Sequence, residues 1–287
     1  MRRIIITLTV AAVVAVPATA SAQTGQTIPV PDPILTKLGK TPMVELWDGG
    51  GGLPYLGSST AYNAGDWENA LRAYHDTGVY EQQLGKVDAV AAAWLRRAGR
   101  VGNFRFKAKW RYHSARRAIV ANGHRHHGHK HHGKGSGKHK KLAIVFDIDE
   151  TTLSNYSAIE ADNFTFGTNS QNEAQNKIGT AIPPSLALFN LAKEKNIAIF
   201  LITGRRENVR TPTAENLAEQ GYTGYKQLIL RPVGGTGTTV DYKAGERAKI
   251  EDQGYRIVAN VGDQYSDLAG GHSGVAFKLP NPFYFLP

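Results

Sequence analysis

Cysteine is absent from all 287 residues. Its absence excludes a disulfide-stapled miniprotein, a Cys-ligated zinc domain, a thiol-dependent enzyme and a cysteine-linked lipid anchor. Also missing is any apolar run of the roughly 20 residues a membrane-spanning helix requires; the stretch over residues 4–16 stops well short. Acidic residues are missing from a long basic region: between residues 96 and 141 stand 15 Lys and Arg and no Asp or Glu. With 41% hydrophobic and 9% aromatic residues the composition is ordinary for a globular chain, which leaves both an enzyme and a binding module open. The length is enough for one sizeable core plus attachments.

The net charge of +10 is unevenly distributed. Outside the 96–141 block and the pair Arg2 and Arg3, the chain carries 17 bases against 24 acids. An acidic body joined to a basic segment differs from a uniformly cationic nucleic-acid binder, and no specific nucleic-acid partner is expected.

The chain divides along its composition. Arg2 and Arg3, the apolar residues 4–16, Pro17 and Ala20-Ser21-Ala22 predict a signal peptide over 1–22 cut after Ala22, hence a secreted or periplasmic protein. Residues 23–60 are rich in Pro, Gly, Thr and Ser, with four glycines at 49–52, and predict a flexible lead-in. Residues 61–121 predict a helical segment: Trp67, Leu71 and Tyr74 would share one face, and Tyr80, Leu84, Val87, Ala91 and Leu95 recur at helical spacing. In its later part nine bases alternate with Phe104, Phe106, Trp110 and Tyr112; packing on the acidic body is the simpler reading, an anionic-polymer surface the other. Residues 122–141 hold seven of the ten histidines among Gly, Ser and Lys, a linker that cannot build a core. Its imidazoles could also take a metal or, when protonated, an anionic surface.

From residue 142 the texture changes. Short branched apolar runs at 142–146, 197–202, 227–230 and 255–261 alternate with helix-like segments at 184–195, 208–220 and 242–253. The alternation predicts an α/β fold, a doubly wound parallel sheet. One insertion, about 152–182, is long enough for a small cap.

In such a sheet ligands bind outside the carboxyl ends of the strands. Asp147 and Asp149 follow the first run, Thr203, Gly204 and Arg205 the second, Lys243 stands near the third helix, and Asp263 and Asp267 follow the fourth run. Converging carboxylates repel one another unless a hard cation sits among them, which points to Mg2+. Carboxylate, metal, lysine and hydroxyl are together the parts that phosphoryl transfer needs. Taken singly, each has a bland reading as a cap, a turn or a solvated lysine.

The motifs VFDIDETTLSN, FLITGR, YKAGER, GYRIVANVGDQYSDL and FKLPNPFY resemble the haloacid dehalogenase superfamily. Within it, the chain is most similar to the secreted acid phosphatase branch of class C acid phosphatases and plant vegetative storage protein-like phosphatases. The resemblance covers residues 142–287 well and the preceding helices weakly. It implies an exported Mg2+-dependent acid phosphatase acting on small phosphomonoesters. It makes Asp147 the nucleophile that becomes an aspartyl-phosphate and Asp149 the acid/base whose backbone carbonyl also meets the metal. Thr203, with Gly204 and Arg205, would bind the phosphoryl group, Lys243 would neutralise charge, and Asp263 and Asp267 would hold the metal. Lys249 is the rival for the lysine role; Asn155 and Tyr156 are candidate substrate contacts. The alternatives are a non-catalytic polyanion- or metal-binding storage protein on the same fold, and phosphotransfer to an acceptor other than water.

Overall fold

A computed structural model describes residues 33–46, 68–98, 140–165 and 167–286. The signal peptide, most of the His-rich linker and the basic-aromatic stretch beyond residue 98 lie outside the described residues.

An inner strand of the sheet, β3 (Lys141–Phe146), is flanked by β6 (Ala198–Arg206) and β8 (Tyr255–Gly262), both parallel to it. Outside them lie β7 (Gln227–Arg231) and β9 (Val275–Lys278), again parallel. The chain therefore steps from β3 to β6 and β7 in one direction and then to β8 and β9 in the other, so the order reverses at β3. This switch point opens a crevice at the carboxyl end of β3.

β3 is buried on both faces, as continuous apolar strands of parallel sheets are. Ile144 and Phe146 join the larger core with Ile199 and Leu201 of β6, while Ala143 and Val145 join a second core with Phe200 and Ile202. Two-residue alternation divides neighbouring side chains between the layers. Helix α7 (Thr239–Asp252) closes the second core through Ile250, and α2 (Val79–Ala98) and α5 (Pro183–Glu194) close the first. The apolar residues of α2 expected from their spacing, Tyr80, Leu84, Val87, Ala91 and Leu95, are all buried. Trp94 fastens α2 to the sheet by donating its indole N–H to the Val258 carbonyl at 2.8 Å.

The 23–60 region requires a correction, because part of it is not a lead-in. β1 (Pro33–Leu38) and β2 (Thr41–Leu46) form an antiparallel hairpin, and β2 pairs with β9 to extend the sheet to seven strands. The composition misleads since Gly39, which reads as a loop residue, supplies the left-handed φ of 61° in a two-residue turn. Met43 and Val44 are buried. β9 was likewise not expected as a strand.

Between β3 and α5 the 152–182 insertion leaves on β4 (Leu153–Ser154) and returns on β5 (Thr180–Ala181), which pair antiparallel. It carries two short helices, α3 (Tyr156–Ala161) and α4 (Thr168–Asn176). Helix α1 (Glu68–Asp76) buries Leu71 and Tyr74 and lies beside α3, with His75 stacked on Tyr156 at 3.4 Å between ring centroids.

Candidate active site

At the carboxyl end of β3, Asp147 donates its backbone N–H to Val261 of β8, which continues the ladder past the strand. Its side chain is thereby placed at the switch point. Lys243, on the second turn of α7, donates its ammonium to both Asp147 and Asp267, the latter at 2.5 Å, and all three residues are at most 5% exposed. Lys249, the rival, is two-thirds exposed at 67% and pairs with Glu246.

Asp267 is fixed from several sides. Its second carboxylate oxygen accepts the Gln264 backbone N–H at 2.9 Å, while its carbonyl accepts Arg247 at 2.6 Å and Asn260 at 3.0 Å. Gly262 is required by this fold-back, because a Cβ there would stand 2.6 Å from the Asp267 Cβ. Asp263 accepts Thr151, Gln264 and Asn281 at 3.1, 2.7 and 2.7 Å. One carboxylate oxygen each from Asp147, Asp263 and Asp267 lies within 4.8 Å of the others.

Three buried carboxylates facing one ammonium leave excess negative charge. Burial, then Asp267, pushes the Asp147 carboxyl well above the usual range despite Lys243, and burial with Asp267 raises Asp263 to about 6. Burial works against the Lys243 ammonium, but Asp147 and Asp267 outweigh it and hold it charged. A divalent cation would cancel the excess that Lys243 leaves, and three hard oxygen donors suit Mg2+. The donor set therefore fits such an ion.

The Asp149 carboxylate lies outside that triad. It accepts two N–H groups of Arg205 at 2.7 and 2.9 Å, the Asn155 amide at 2.9 Å and the Thr203 hydroxyl at 3.3 Å. Burial opposes ionisation, yet the Arg205 charge and these bonds lower its pKa overall. Thr203 is fully buried, with its hydroxyl also accepting the Arg205 backbone N–H, so it stands behind the wall of the crevice. Gly204 and Arg205 are on that wall. Asn155 is fully buried between Asp149 and Arg205, and Tyr156 packs among His75, Phe164 and Phe283; neither lines the cavity.

The cavity, about 280 Å³, joins the acidic floor to a mixed wall from several elements. Ile159, Phe164 and Glu173 come from the insertion, Arg231 and Thr239 from the β7–α7 side, and Phe283 and Tyr284 from the segment after β9. Burial and then Asp149 raise the Glu173 carboxyl to about 8. Sequence reasoning missed these wall residues, as well as Glu150, whose left-handed φ of 52° turns the chain after Asp149. Glu150 accepts the Asn155 N–H at 2.6 Å and the Tyr284 hydroxyl at 2.8 Å. An acid directly after the D-x-D pair was the available signal for Glu150; Phe283 and Tyr284 end the FKLPNPFY motif, which was their signal, and the other wall residues have none.

A family model described as "HAD superfamily, subfamily IIIB (Acid phosphatase)" matches residues 78–287. Acid phosphatase 1 of Solanum lycopersicum is 37% identical over 152 residues, covering 50% of this chain and 58% of that protein. Vegetative storage protein 1 of Arabidopsis thaliana is 34% identical over 152 residues, 50% of this chain and 55% of that one. The matches thus span little more than half the length of these relatives. Among solved structures, the class C acid phosphatase from Bacillus anthracis with tungstate bound superposes with a TM-score of 0.55 over 77% of this chain and 86% of that one. At 17% identity this likeness concerns the fold.

Proposed function

The chain belongs to the haloacid dehalogenase superfamily, subfamily IIIB, the acid phosphatases, and from that premise we propose that it is an exported, Mg2+-dependent acid phosphatase that hydrolyses small phosphomonoesters through an aspartyl-phosphate. The observation that carries this reading is the buried Lys243 bridging Asp147 and Asp267 beside Asp263, with Asp149 held separately on Arg205 at the same crevice.

The chemistry follows from the two aspartates. Asp147 attacks phosphorus with a carboxylate oxygen, and the bond from phosphorus to the ester oxygen breaks. Asp149 gives its proton to the departing oxygen. It then takes one from the water that attacks the phosphorus of the acyl phosphate, which releases inorganic phosphate and restores Asp147. Arg205 favours the ionised Asp149 that takes a proton from water, while an acidic medium supplies the carboxyl form that donates one. Lys243 keeps Asp147 oriented and offsets the charge accumulating on the phosphoryl oxygens. Mg2+ bound by Asp147, Asp263 and Asp267 would supply a second positive charge beside those oxygens. Thr203, Gly204 and Arg205 form the opposite edge, with Thr203 acting through Asp149 and Arg205.

The storage reading has one observation in its favour, the naming of a relative as a vegetative storage protein. A storage role has no use for a lysine buried between two acids, an arrangement that costs desolvation of three charges. Phosphate release from p-nitrophenyl phosphate, scanned over pH with and without Mg2+, separates the two. Turnover that requires Mg2+ and is lost in folded Asp147→Asn supports the enzyme; a folded, metal-loaded protein without turnover supports storage. Sequencing the amino terminus of the exported protein tests cleavage after Ala22.

A further inference from the structure

Helix α1 precedes the residues that the family model matches, and it is tied to the insertion at both ends of α3. At one end His75 lies flat on Tyr156, with 5° between the ring planes. At the other, Arg72 reaches three residues at once. Its Nε donates to Glu160 at 3.2 Å, one Nη donates to the Asn163 side-chain oxygen at 2.9 Å, and the guanidinium lies 5.5 Å from the centre of the Phe164 ring. Glu68, one turn earlier, accepts the remaining Nη at 3.2 Å and steadies the arginine.

The held segment needs support. Asn163 and Phe164 are consecutive non-glycine residues with left-handed φ angles of 51° and 56°. Asparagine tolerates this conformation, but in a phenylalanine the Cβ crowds the following carbonyl and the conformation is disfavoured. Three local backbone bonds, from Asn163 to Glu160, Phe164 to Ile159 and Thr165 to Asp162, define the turn. The result is that the Phe164 ring is buried at 5% exposure, lies beside Phe283 at 6.1 Å between centroids, and lines the cavity with Ile159. A residue in an unfavourable conformation at a cavity wall is retained because its surroundings hold it there.

We propose that Arg72 is a positioning residue: through it α1 acts as a latch that holds the turn at Asn163 and Phe164 against the leaving-group side of the crevice. Arg72 touches neither the acidic floor nor the phosphoryl site. The latch acts on the apolar wall that the alcohol part of an ester meets, so it governs binding of bulky leaving groups and leaves phosphorus chemistry alone. Because Arg72 and Glu160 are partly exposed, with side chains 29% and 41% accessible, each contact is modest and the effect comes from their combination.

The kinetic arm of the test rests on the phosphatase reading; the exchange arm does not. In the full chain, Arg72→Met raises KM for p-nitrophenyl phosphate about fivefold, with kcat within about twofold and both constants for ethyl phosphate unchanged. Arg72→Lys, which retains one ion pair but cannot serve Glu160 and Asn163 together, falls between. Independently, hydrogen exchange in Arg72→Met accelerates at residues 156–165 and stays at the wild-type rate in β3 and β8. An unchanged KM for the aryl ester overturns the latch. So does an equal loss of kcat on both esters, or faster exchange spread through the sheet. If the wild-type protein hydrolyses neither ester, the phosphatase reading fails, and exchange at 156–165 alone decides the latch: acceleration there supports it and a wild-type rate overturns it.

Discussion

The floor of the crevice and the wall above it are built on opposite principles. On the floor, each charged group sits just after an inner strand or on a packed helix, is almost wholly buried, and is fixed by buried hydrogen bonds. Lys243 spans Asp147 and Asp267, and Asp263 accepts three donors. The wall from the insertion has short helices, a left-handed turn and one part-exposed ion pair to α1. Chemistry that must stabilise charge requires preorganised dipoles in a dry, rigid setting. Recognition of a leaving group requires only shape, which a lightly held segment supplies.

The largest expected effect breaks the floor. Asp147→Asn lowers phosphate release from p-nitrophenyl phosphate by at least about a thousandfold while the protein stays folded by circular dichroism; retained activity would remove Asp147 from the nucleophile role. Lys243→Met leaves Asp147 and Asp267 buried without their shared cation and costs about 3–5 kcal/mol in denaturant unfolding. Added Mg2+ should restore part of that loss, since a cation bound only by the folded state stabilises it.

A buried carboxylate outside the crevice sharpens the contrast. Asp88 of α2 is 3% exposed and, among the described residues, accepts only Ser185 at 2.9 Å and leaves its other oxygen without a hydrogen-bond partner. Burial raises its pKa to about 7 against the Ser185 bond. A carboxyl whose folded pKa is raised stabilises the fold fully below the unfolded value of about 4, and that stability is lost as pH climbs to about 7, by up to about 4 kcal/mol. Thermal unfolding of Asp88→Asn should therefore be flatter between these pH values than that of wild type; parallel curves would show that Asp88 does not titrate there. The same sign suits the acidic working range proposed above.

The smallest of these effects lies where floor and wall meet. Tyr284→Phe removes the hydroxyl that donates to Glu150, which in turn accepts Asn155, the partner of Asp149. The expected cost is about 1–2 kcal/mol of stability, with a fall in kcat and little change in KM. A change confined to KM would make Tyr284 a wall residue alone.

The floor was legible because its residues follow apolar strands in four short motifs, and an α/β alternation places strand ends together. The Y-K context of the resemblance favoured Lys243 over Lys249, and the structure buries the first and exposes the second. The hairpin at 33–46 was hidden because a Gly-centred turn and prolines resemble a loop until a sheet edge is available for pairing. Phe164 and Glu173 were hidden because neither lies beside a motif, and Phe283 and Tyr284, though they end the FKLPNPFY motif, follow no strand-end signal that would aim them at the crevice.

By itself, the sequence determined the layering and set the candidate acids and the lysine just after strands or on the following helix, since strand periodicity and motif spacing are local properties of the chain; the strand order that reverses at β3 belongs to the tertiary structure. Only the tertiary structure decided that Asp149 rests on Arg205 instead of joining the acidic triad, that Thr203 stands behind the wall, and that α1 grips the insertion through Arg72. Such pairings join residues up to 91 positions apart, and their choice depends on which side chains packing brings within hydrogen-bond reach, which no local pattern records.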